Sequence, residues 1–174
     1  MRMGLMVGAL ALVLAGAACG TEKATAEEAS VASRPVRAAG LDLAVEDFRP
    51  RWNAISKSRV QGVEFDGGMS QTHLAHEQFL QLNEGTSGRI RSILVGYTPG
   101  NHVSAADFML NIVAVVSAVQ PDLAERQRGE VLKALLTDPD YKTNPSRKYT
   151  VGSVRYSLTS VEGMGILFAA DPVE

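Results

Sequence analysis

Ser104-Ala-Ala-Asp-Phe-Met-Leu-Asn-Ile-Val-Ala-Val-Val-Ser-Ala-Val119 is the stretch whose reading decides the fold. Wound at 3.6 residues per turn it is apolar on nearly every side, broken mainly by Asp107, Asn111 and Ser117. A helix of that kind has to be enclosed by other elements. At roughly 16 residues, with polar interruptions, it falls short of the roughly 20 apolar residues that span a membrane. Leu110 and Val113 are expected to be almost inaccessible, and truncating Leu110 to be severe.

Downstream, Gln120-Pro121-Asp122 reads as a stop followed by a new start, with Pro121 suited to the first turn of a second helix. There Leu123, Val131, Leu132, Leu135 and Leu136 form one face. Glu125, Arg126, Arg128, Glu130 and Lys133 form a solvated face, on which Arg126 and Glu130 make a four-residue pair. Asp138 to Lys148 is a loop with two prolines, and Tyr149–Thr159 with Met164–Ala170 reads as a closing hairpin turning at Glu162-Gly163.

Upstream, Val45, Phe48, Trp52 and Ile55 recur at three- and four-residue steps, the stripe of an amphipathic helix. Pro50 fits its first turn if the helix starts near Asp47. Trp52 is expected in the core. Gln61–Gly68 and Leu74–Leu82 read as short strands, with Gly67-Gly68 as a turn signal. Arg89–Thr98 is rich in strand formers, and the polar run Asn83–Gly88 joins it to the preceding strand as a hairpin. The order is α-β-β-β-α-α-β-β. That pattern predicts an α+β fold, an antiparallel sheet of about five strands with about three helices packed on one face.

The N-terminus has a different character. Arg2 is followed by an uncharged apolar run from Met3 to Ala15, then the small residues Gly16, Ala17 and Ala18, then Cys19. This is the layout of a secretory signal peptide. Gly16-Ala17-Ala18-Cys19 resembles the lipobox of bacterial lipoproteins, with Gly16 where leucine is commonest and Leu14 two places upstream. The resemblance implies cleavage after residue 18, lipidation of Cys19, and a membrane partner reached through that lipid. Several acyl chains give stable anchoring, at about 0.8 kcal/mol per buried methylene. Gly20 after the cysteine, in place of Asp, implies the outer membrane, with the domain facing the periplasm.

Residues 20–40 hold no aromatic residue and only two isolated valines, which predicts a disordered tether spanning roughly 25 Å. Glu27 and Glu28 in it are expected to be solubilising. The expected organisation is therefore a signal peptide at 1–18, a lipidated cysteine and tether at 19–40, and one globular domain at 41–174.

Convergent chemistry is sparse. The full chain carries a net charge of −2, and loss of residues 1–18 removes one further positive charge, Arg2. Without a basic patch there is no electrostatic footprint for nucleic acid. The single cysteine excludes a disulfide within the chain and, once lipidated, supplies no nucleophile. The histidines are His73, His76 and His102. His73-Leu-Ala-His76-Glu77 lacks the His-Glu-x-x-His order of zinc proteases, and on a strand His73 and His76 would point to opposite faces. No metal site and no cofactor are expected.

Gly85-Thr-Ser-Gly88 lacks the lysine and spacing of a phosphate loop, and it reads as a hairpin turn. Glu64/Asp66 and Asp138/Asp140 read as solvated carboxylates. No Gly-x-Ser-x-Gly elbow occurs, and no catalytic residue is assigned. A small anchored domain without cofactor chemistry suggests a non-catalytic envelope protein that binds a protein partner, for example an inhibitor or immunity protein against a toxin or hydrolase. The alternative is a small-ligand carrier or a hydrolase whose site lacks a recognisable motif.

The anchor is tested directly. Cys19→Ser should move the protein out of the membrane fraction and abolish incorporation of labelled palmitate. A wild-type chain that takes up no palmitate would overturn the lipoprotein reading.

Overall fold

A computed structural model describes residues 40–173 except 42, 99–101 and 138–144, and leaves the side chains of Ser87 and 102–104 undescribed. The leader, Cys19, the tether with Glu27 and Glu28, the His102 side chain and Asp138/Asp140 therefore lie outside the described residues. The fold is α+β. Strand β1 (Leu43–Ala44) runs into helix α1 (Val45–Ile55), followed by strands β2 (Met69–Leu74), β3 (Gln78–Glu84) and β4 (Arg89–Tyr97). Helices α2 (His102–Val119) and α3 (Glu125–Leu136) come next, then strands β5 (Ser146–Val151), β6 (Val154–Val161) and β7 (Gly165–Pro172).

All pairings are antiparallel, and the sheet runs β2-β3-β4-β7-β6-β5. Two three-stranded meanders meet where β4 lies against β7, from Ile93 opposite Ala170 to Tyr97 opposite Ile166. Each meander follows a helix. The short β1 pairs with the start of β4, Leu43 opposite Ile90. Since β3 holds the other edge of β4 there, β1 lies on the side that β7 occupies further along.

Seven strands replace the expected five. Tyr149–Thr159 is not one strand, because Gly152-Ser153 turns the chain between β5 and β6, with Gly152 at φ +56°. A two-residue Gly-Ser connection between β-forming runs makes a tight hairpin. Leu74–Leu82 is likewise two strands, broken at Ala75-His76-Glu77. Gln61–Phe65 forms no strand. The chain pairs only at Asp66 with Met69, around Gly67 and Gly68 at φ +58° and +81°, and the strand begins after that turn. The hairpin across 83–88 forms as expected, closing through a 3₁₀ turn at Thr86–Gly88 with the Gly85 N–H donating to the Arg89 carbonyl at 2.7 Å.

α1 begins at Val45 and carries Pro50 in its second turn, not its first. The missing N–H leaves the Glu46 carbonyl without its helical donor, and both residues are exposed, so water serves instead. α3 begins at Glu125, leaving Pro121 and Asp122 in the preceding turn.

Alternation along the strands puts Leu80, Leu82, Ile93, Val95, Tyr156, Phe168 and Ala170 on one face, all buried beneath the helices. Phe48 and Trp52 of α1 are fully buried, with ring centroids 5.7 Å apart, and the Trp52 indole donates to the Ser58 carbonyl at 2.7 Å. At the far side, the Tyr156 hydroxyl donates to Gln120 Oε1 at 2.9 Å while Gln120 Nε2 donates to the Val151 carbonyl, tying the end of α2 to β5 and β6. Burial pushes the Tyr156 hydroxyl well above its ordinary acidity range, so it stays a donor. No helix among the described residues is long and apolar enough to cross a membrane.

α2 is enclosed less evenly than its composition suggests. Phe108, Ile112, Ala114, Val115, Val116 and Ala118 are buried, but Leu110 and Val113 are only half-buried. They fall with exposed Ala106 on the side turned away from both the sheet and α1. Arg128 also departs from expectation. It is half-buried and donates to the Pro121 carbonyl at 2.7 Å, closing the turn between α2 and α3. Arg126 and Glu130 do pair on the exposed face, at 3.2 Å.

The severe truncation therefore moves one turn-face round the helix. Ile112→Ala should cost about 2–5 kcal/mol through lost transfer energy and a cavity, and Leu110→Ala clearly less. Urea melts of the two variants check this, and equal losses would contradict the burial pattern.

Candidate functional site

Buried polar groups are the informative exceptions in a core. Among the described residues six polar side chains are buried, and four of them gather at one place, where the segment after α1, the start of β3 and the second and third turns of α2 converge. Ser56, Gln78, Asp107 and Asn111 are all buried. The Ser56 hydroxyl donates to Asn111 Oδ1 at 2.6 Å, and Asn111 Nδ2 donates to Gln78 Oε1 at 2.8 Å. Asp107 and Asn111 are one helical turn apart and face the same side. The two polar breaks noticed in the apolar helix thus aim at a single polar wedge.

Two side chains cover its mouth. Lys57 Nζ lies 2.8 Å from one Asp107 oxygen, and His76 Nε2 lies 3.4 Å from the other. His76 and Glu77 stand in left-handed backbone, φ +58° and +56°, in the turn between β2 and β3. For residues with a Cβ that conformation costs about 1–2 kcal/mol each. Part of that cost is offset by what the turn reaches, Asp107 through His76 and the Thr98 N–H through the Glu77 carbonyl. His73 stays on β2, exposed and opposite Phe79. The two histidines do not share a strand as expected; only His76 joins the cluster.

Chemically the wedge is a closed network. One Asp107 oxygen is paired with Lys57 and His76 stands near the other, and the Ser56 hydroxyl donates to an amide, whereas an attacking serine would donate to a base. Among the described residues no three of His, Cys, Asp and Glu gather closely enough to hold a metal ion. The arrangement fastens three segments that are far apart in sequence. Glu64 and Asp66 are exposed.

The second feature is the sheet face opposite the helices. Phe79, Gln81 and Asn83 of β3, Ser92, Leu94 and Gly96 of β4, and Leu167, Ala169 and Asp171 of β7 share that face by register. A Cβ at Gly96 would fall inside the Phe79 ring, so the ring lies flat over the glycine. Phe79, Leu94, Leu167 and Ala169 are half-buried on the side of the sheet away from the helices. Polar neighbours satisfy each other: Gln81 donates to Asn83 at 3.0 Å, Asn83 to Ser92 at 2.8 Å, and Ser146 and Thr159 hydroxyls meet at 3.1 Å.

Asp171 lies at the end of this face, opposite Arg155 of β6. Burial raises its carboxyl above the ordinary value of 3.8, while Arg155 and Arg91 pull in the opposite sense. No family model, curated protein or solved structure matches the chain.

Removing the hub of the wedge and removing its lid should differ. Asn111→Ala removes two buried side-chain hydrogen bonds, to Ser56 and to Gln78, and should cost about 1–3 kcal/mol. Lys57→Ala removes an exposed partner and should cost no more than about 1 kcal/mol. Chemical denaturation of both variants decides it; equal losses would mean that the wedge is not held from inside.

Asp171 supplies a pH test. A carboxyl that holds its proton more tightly when folded contributes fully below its unfolded value, and that contribution is lost as pH rises through the raised folded value. Asp171→Asn should flatten the decline in stability upward from pH 3.8. Thermal melts of both proteins across the acidic range check this, and parallel profiles would argue against it.

Proposed function

We propose that the chain is a non-catalytic, lipid-anchored envelope protein that binds a protein partner through the uncovered face of its sheet. In this reading it acts as an inhibitor or immunity protein against a toxin or hydrolase outside the cytoplasm. The observation that carries it is the centre of that face, Phe79, Leu94, Leu167 and Ala169, which is apolar. Interface cores are depleted in charge and rich in such contacts. The polar ladder Gln81–Asn83–Ser92 supports the same reading, because groups already bonded to each other lose less when water is removed. The anchor rests on Gly16-Ala17-Ala18-Cys19, and with it the localisation at the outer membrane facing the periplasm. The closed bonding of Asp107 and Ser56 supports the non-catalytic part.

A photo-crosslinking residue at Leu94 of the full chain, in living cells, should trap one discrete protein species, and the same residue at exposed Arg126 should not. Leu94→Lys should prevent complex formation while costing the domain no more than about 1–2 kcal/mol of stability, leaving it folded. Equal trapping from both positions, or none from Leu94, would reject the face as the binding surface.

A further inference from the structure

We draw no further inference here: the strongest candidate, the apolar stripe of Ala106, Leu110 and Val113 on the outward side of α2, is a helix face for which nothing in the structure shows what covers it.

Discussion

The need to bury α2 governs the architecture. A helix whose residues are apolar on almost every side needs cover from several directions at once, and one sheet cannot provide it. The solution is to set α2 over the seam of β4 and β7, with α1 running antiparallel along one flank. Arg51 Nη1 bonds to the Ala118 carbonyl near one end of that flank, and Ser56 bonds to Asn111 further along. α3 then closes over β5 and β6, held there by Arg147 Nη1 donating to the Leu135 carbonyl at 2.6 Å. The side of α2 away from these contacts is left with Ala106, Leu110 and Val113. All-round hydrophobicity in a sequence therefore says that a helix is central. It does not say which of its residues are covered.

Features carried by local chemistry were legible in the sequence. The buried helix, the hairpin after Asn83, the burial of Trp52 and the α+β class all follow from periodicity or turn residues within a few positions. The Gly152-Ser153 turn is equally local, but β-forming runs on both sides mask it in the sequence. The turn at His76-Glu77 carries no glycine, proline or asparagine. Its left-handed backbone is held by contacts to Asp107 and Thr98, which lie about 20–30 residues on. A two-residue strand such as β1 exists only because Ile90 is beside it.

The polar wedge was illegible for the same reason on a larger scale. Ser56 and Asn111 are 55 residues apart, Lys57 and Asp107 50, and Asn111 and Gln78 33. Asp107 and Asn111 could be seen only as interruptions of an apolar run, because their partners had not yet been brought near. The uncovered face was hidden differently. In β4, Ile93, Leu94 and Val95 are consecutive apolar residues, and only the register with β3 and β7 separates inward Ile93 and Val95 from outward Leu94. An apolar run in a strand is ambiguous between full burial and a sticky second face.

The placement of β7 has a bearing on how the molecule is made. This strand comes last in sequence among the described strands, yet it occupies the middle of the sheet, between β4 and β6. Until it arrives, β4 presents an unpaired edge to its surroundings, and the two meanders have no common sheet to join. Folding to completion must therefore wait for the C-terminal strand, through contacts of high sequence separation that form slowly. Export before folding, which belongs to the proposed function, would meet this requirement, because the whole polypeptide would be delivered before the seam has to close. The same order would be a hazard on a ribosome in a crowded compartment, where an exposed central strand can pair with a neighbour.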